Sequence, residues 1–167
     1  MKTVFELLAV LASGLFTGGA LFMHFVEHPA RMELGPVLGV PSFAAMYKRA
    51  AKMQPLLAFL SFFGGAAAWF EGANAWWLVG GIIMGSLFPY TIILMLPLNK
   101  ELIDPGLDKN TPRAMELLDH WGNLHKYRAF AALVAFVIFL LSLRCASRRS
   151  SALGLRMGGL IWMHAGV

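Results

Sequence analysis

The chain has a single cysteine, Cys145. An intrachain disulfide is therefore excluded, and so is the paired-cysteine motif that attaches c-type haem. A lone thiol among Arg144, Arg148 and Arg149 at a helix end reads as an interfacial residue or a lipidation site, not as a catalytic nucleophile. Charge is also scarce: Asp, Glu, Lys and Arg make up 14% of the residues, against about 25% in soluble domains. No P-loop and no glycine fingerprint after a strand is present, which removes the common nucleotide-binding classes. Asp104, Asp108, Glu116 and Asp119 fall in a loop and on a solvated helix face, so they do not suggest a carboxylate dyad.

What the chain has instead is apolar length. Of its 167 residues 58% are hydrophobic, and the mean hydropathy is +0.65. The apolar residues come in long runs and not at the spacing of a half-buried helix. The solvent for those runs is lipid. The net charge of +5 then reads as basic residues beside anionic headgroups, and nucleic acid is not an expected partner.

The runs predict an all-α, up-down-up-down bundle of four transmembrane helices in one domain, 1–145, with spans at about 4–27, 53–70, 75–98 and 117–143. The first run is too long for a signal-peptide core and is read as a retained helix. Gly14 and Gly18 in it have GxxxG spacing, which favours close helix packing in lipid. Gly35, Pro36, Gly39 and Pro41 break up the first connection, where an amphipathic segment is expected at about 42–51. The turn Glu71-Gly72-Ala73-Asn74 is short, so the second and third helices are antiparallel; Trp69, Trp76 and Trp77 bracket it as an aromatic belt. Pro89 is expected to kink the third helix. Thr111-Pro112 has the form of a helix start. The tail 146–167 is basic and then apolar, too short to span and suited to the interface. The localisation is integral to a membrane and multi-pass.

Four antiparallel spans bring the end of the first, the start of the second, the end of the third and the start of the fourth to one side. His24, Glu27, His28, Arg31, Lys52, Gln54, Tyr90, Asn99, Lys100, His120, Trp121, Asn123, His125 and Arg128 are expected to gather there. Ionisable groups within spans are costly and face the bundle interior, so this gathering is the main site signal. On the first helix Gly14, Thr17, Leu21, His24 and His28 share a face, and His24-Phe-Val-Glu-His28 spells a short zinc-protease motif. Its histidines could ligate a metal. In an apolar helix the bland reading, hydrogen-bonded histidines, has more weight. On the fourth helix Trp121, His125 and Arg128 follow i, i+4, i+7. They form either an interfacial anchor or a stripe that stacks on an aromatic ligand, moves a proton and holds an oxyanion.

Three functions stay open on these residues. One is an oxidoreductase or oxygenase acting on a hydrophobic aromatic substrate, with His125 or His28 moving a proton, Arg128 stabilising an oxyanion, Asn99 and Tyr90 orienting the substrate and Trp121 stacking on it. Another is a structural subunit of a larger membrane complex or a homo-oligomer. The third is a metal- or haem-binding protein using His24, His28, His120 and His125. No cofactor is required by the sequence; copper, iron, haem and zinc all suit such ligands.

The segment Phe88-Pro89-Tyr90-Thr91-Ile92, then Leu96-Pro97-Leu98-Asn99, Leu117-Leu118 and Trp121-x3-His125-x2-Arg128, with His28-Pro29-Ala30 closing the first helix, resembles the DUF1772, or anthrone oxygenase-like, family of small four-helix membrane proteins. The likeness runs over most of 15–143. It implies the oxidation of polyketide anthrones to anthraquinones by dioxygen in a few fungal members, and it maps Asn99, Trp121 and Arg128 onto motif positions. His125 departs from it, standing where the anthrone-oxidising members tend to carry asparagine, and the resemblance carries no role over to His24.

Overall fold

The computed structural model describes the backbone of residues 1–164 and the side chains of residues 1–144. The side chains of Cys145 and of the tail expected at the interface lie outside the described residues.

Among the described residues four helices and no strands are present. They are α1 (Lys2–Glu33), α2 (Gly35–Phe70), α3 (Trp76–Leu102) and α4 (Pro112–His164), and each is long and apolar enough to cross a membrane. Consecutive helices pack on one another and α4 closes the ring on α1, giving the up-down-up-down bundle. The chain reverses after α2 because Gly72 takes the left-handed conformation, φ 86°. There the Gly72 N–H reaches Trp69 O and the Ala73 N–H reaches Ala68 O, capping the last carbonyls of α2.

The first connection differs from the expectation. The break at 29–52 is replaced by helix on both sides of Leu34, and the segment at 42–51 is the interior of α2. Gly35, φ 71°, makes the reversal alone. Pro36 sits in the first turn, where its missing N–H leaves no bond unmade. Gly39 lets α2 close on α1: a Cβ there would lie 2.9 Å from Arg31 O. Val40 and Phe43 are then buried, so packing overrides Pro41.

Two wide turns interrupt the helices. Met23–Glu27 in α1 and Thr91–Met95 in α3 are π-helical. In each, the last N–H before a proline reaches back five residues, from His28 to Met23 O and from Leu96 to Thr91 O. Pro29 and Pro97 follow at the next position. A proline has no N–H for the carbonyl four residues back and its ring presses on it, which favours widening the turn before it. Helix α3 continues through Pro89, and its irregularity is this later turn.

The core is divided in two. One cluster includes Ala9, Phe16, Trp77, Met84, Ala135 and Phe139. The other includes Phe43, Met95, Leu98, Leu117 and Trp121. In the first, α2, α3 and α4 meet at glycine. Phe139 stacks on Trp77, 5.3 Å between rings, over Gly65 and Gly80. A Cβ on Gly65 would lie 2.6 Å from the Trp77 carbonyl oxygen, and one on Gly80 would lie 2.7 Å from the Phe139 ring. Gly65→Ala is expected to cost about 1–3 kcal/mol, since backbone must move to admit the methyl. Thermal unfolding in detergent checks it, with Gly18→Ala, where a Cβ meets open space, as the unaffected control.

Candidate functional site

Between the two clusters the helices enclose a cavity of about 240 Å³, somewhat below the usual ligand pocket, which runs from roughly 300 Å³ upward. All four helices line it: Phe16, Gly19 and Met23 from α1, residues between Met46 and Ala58 from α2, residues between Leu87 and Asn99 from α3, and Trp121, His125 and Arg128 from α4. The i, i+4, i+7 stripe of α4 thus lies on one wall. The lining residues exposed at the bundle surface, Ala51, Phe88 and Ile92, all belong to α2 and α3.

The site was expected at one end of the bundle. It lies nearer mid-length, because α1 and α2 extend well past their predicted ends and the second core cluster fills the space beyond. Gln54 shows the shift. It looked like a polar residue at the mouth of a span starting at 53, but with α2 beginning at Gly35 it sits deep in the helix.

His125 is buried. Its ring lies 4.7 Å from the Trp121 ring and nearly parallel to it, at 11°. Its Nε2 is 3.1 Å from Ala20 O. A carbonyl only accepts, so Nε2 carries the hydrogen in the neutral ring and Nδ1 keeps a lone pair. No described residue bonds to that Nδ1. One turn further along α4, the Arg128 guanidinium lies 5.4 Å from the centre of the Phe16 ring. Among the described residues no carboxylate pairs with it, and its buried Nε makes no hydrogen bond.

Trp121 and Asn99 hold each other: Trp121 Nε1 donates to Asn99 Oδ1 at 2.8 Å. Phe43, 5.1 Å away, His28, 5.7 Å away, and His125 surround the Trp121 ring, and 4% of the residue is exposed. Stacking of this indole on a ligand, as expected from sequence, therefore has little ring surface to use. Trp121 instead fixes the ring of His125 and the amide of Asn99.

The remaining sequence candidates stand off the cavity lining. Tyr90 spends its hydroxyl as donor to Leu124 O, 2.9 Å. His28 packs against Gly122, where its Nε2 occupies the space a Cβ would need. His24 lies beside Phe25 and Phe130, and Gly14 packs on Phe136. The face that carries both histidines thus turns toward α4 and not into the cavity. His120 is exposed. Among the described residues no three His, Cys, Asp or Glu side chains are placed to hold a metal ion, so His24, His28, His120 and His125 are not brought together as a ligand set.

Two buried polar residues at or beside the cavity, Arg31 and Gln54, were expected among the gathered polar groups but without a role. Arg31 is 2% exposed, with Glu27 at 3.8 Å, and its guanidinium lies 5.6 Å from Phe43 and 5.9 Å from Trp121 ring centres. It is paired and supports the back of Trp121. Gln54 lines the cavity and its Oε1 has no hydrogen-bond partner. A polar residue within an apolar run was the signal for both, masked by the misplaced helix ends.

A family model described as anthrone oxygenase matches residues 43–138. The match takes in most of α2, all of α3 and the part of α4 that carries Trp121, His125 and Arg128. No curated protein and no solved structure matches the chain.

Proposed function

The chain belongs to the anthrone oxygenase family, and from that membership we propose that it is a membrane enzyme that uses dioxygen to oxidise a hydrophobic, fused-ring phenolic ketone of the anthrone type. The observation that carries this reading is Arg128, a cation on the wall of a largely apolar cavity with no carboxylate partner among the described residues. Arg128 is half-buried, with its Nε shut off from solvent; a charge drawn into an apolar wall carries a desolvation cost unless it is paired, and a ligand that becomes anionic during reaction supplies the partner.

The chemistry follows from the two groups on α4. The ring methylene of the substrate gives a proton to His125 Nδ1. The electron pair left behind spreads onto the ketone oxygen, and Arg128 holds the resulting enolate with its N–H donors. Dioxygen takes up these electrons and bonds to the carbon, the resulting peroxide anion takes the proton back from His125, and the hydroperoxide loses water, with the remaining hydrogen of that carbon, to leave a second ketone. One dioxygen is consumed and one water formed per substrate. Asn99, whose Oδ1 already accepts one bond from Trp121, turns its amide N–H groups to the ligand.

The test is oxygen uptake by protein reconstituted in lipid vesicles with anthrone as substrate. Uptake with anthraquinone as product supports the reading. No uptake with anthrone or other fused-ring phenolic ketones, from folded protein, overturns it.

The substrate reaches the site from the hydrocarbon, between α2 and α3, because the exposed lining residues lie only there. Ala51→Trp is expected to lower kcat/KM about tenfold by filling that gap with unchanged helical content. An equal loss from Leu15→Trp, on the exposed surface of α1, would show that the effect is general and not one of access.

A further inference from the structure

We infer that Gln54 is the specificity-determining residue of this cavity, admitting ligands that carry a second oxygen apart from the one held by Arg128. The inference rests on the functional reading above only for the identity of the first oxygen.

The observations concern hydrogen-bonding capacity. Gln54 is 8% exposed, lines the cavity and leaves Oε1 unbonded. Its amide is placed by glycine: Nε2 would lie 3.1 Å from a Cβ on Gly19, so any side chain at residue 19 crowds it. The neighbouring Ala20 carbonyl is the one that accepts from His125. Gln54 and His125 therefore reach the same stretch of α1 from α2 and α4, while Arg128 sits over Phe16, about one turn further along α1.

Of the other polar groups of the lining, the Tyr47 hydroxyl is free of side-chain bonds to described residues but is less buried than Gln54; the rest are partly committed. Arg128 only donates. Asn99 Oδ1 already accepts one bond, from Trp121 Nε1. Thr91 spends its hydroxyl hydrogen on Leu87 O at 2.7 Å. Gln54 makes no bond to a described residue and can both donate and accept, so it suits a carbonyl or a hydroxyl oxygen equally. A buried amide without a partner is costly, and a ligand oxygen on the ring edge away from Arg128 removes that cost. A ring with one oxygen leaves the amide unmatched, and that mismatch is the source of discrimination.

The experiment is binding without turnover, by calorimetric titration of protein in lipid nanodiscs. The probes are 1-naphthol, with one oxygen, and 1,5-dihydroxynaphthalene, with oxygens on opposite ring edges. The wild type is expected to bind the diol about tenfold tighter, the value of one well-made hydrogen bond. Gln54→Leu is expected to bring that ratio to about one, and Gly19→Ala to reduce it with Gln54 still present. A ratio unchanged in folded Gln54→Leu protein, or no preference in the wild type, overturns the inference. Because no oxygen is consumed in this assay, its outcome is independent of whether the protein oxidises anthrone.

Discussion

Arg128→Met is expected to lower kcat/KM for anthrone oxidation by about 10²–10³-fold, the loss seen when a preorganised oxyanion donor is removed. Methionine keeps most of the side-chain length and its contact with Phe16 but presents no N–H. The charge has no carboxylate partner among the described residues, so its removal leaves no buried anion behind. Stability should hold or rise, since an unpaired cation in a largely apolar cavity is itself a cost. Activity and stability then move in opposite directions, which a merely structural arginine would not produce. Arg128→Lys is expected to recover only part of the rate, because an ammonium is a point charge without the planar fork that grips an oxygen. Oxygen-electrode kinetics beside thermal unfolding in the same detergent decide it. Parallel losses of rate and stability would remove Arg128 from the chemistry.

His125→Phe is expected to lower kcat by about 10²–10⁴-fold, the range for loss of a positioned proton acceptor. Phenylalanine keeps a flat ring against Trp121 and removes both nitrogens. Part of any stability loss comes from the Ala20 carbonyl, left without its 3.1 Å donor, so the rate must be read on folded protein. His125→Asn is the sharper variant. Asparagine can donate to the Ala20 carbonyl but has no basic nitrogen. A large rate loss in His125→Asn assigns proton acceptance to the imidazole. Full activity assigns the residue to positioning and moves the base elsewhere.

The two variants separate what the two residues contribute. Arg128→Met removes charge stabilisation of the enolate at every pH. His125→Ala removes the acceptor and leaves its space empty, so added imidazole is expected to restore part of the His125→Ala rate and none of that of Arg128→Met. Rescue of both by the same buffer base would show that the assay reads uncatalysed substrate oxidation.

Local sequence alone determined the number of helices and their order, because long apolar runs have one stable solution in lipid: each backbone N–H and C=O must be satisfied within its own helix. The i, i+4, i+7 spacing also placed Trp121, His125 and Arg128 on one stripe, since helical periodicity requires no knowledge of partners. The resemblance to the family was readable for the same reason, in motifs spaced along single helices. The match at residues 43–138 leaves α1 outside, although α1 supplies Phe16, Gly19 and the Ala20 carbonyl.

Tertiary structure decided the rest. Pro36, Pro41, Gly35 and Gly39 read as a broken connection, yet the contact of Gly39 with Arg31 and the burial of Phe43 make that stretch helix. That extension moved Gln54 from a membrane boundary into the wall of a cavity. The face of α1 that carries Gly14, His24 and His28 packs on a neighbouring helix, as its small residues suggested, but which other face of α1 meets the cavity was not legible. His24 and His28 pack on α4, and the strip Phe16–Gly19–Met23 lines the site, a choice set by helix rotation and not by residue type. The single cysteine and the scarcity of charge restricted the chemistry from the start, but which few polar groups met an apolar cavity without partners depended on how the four helices packed.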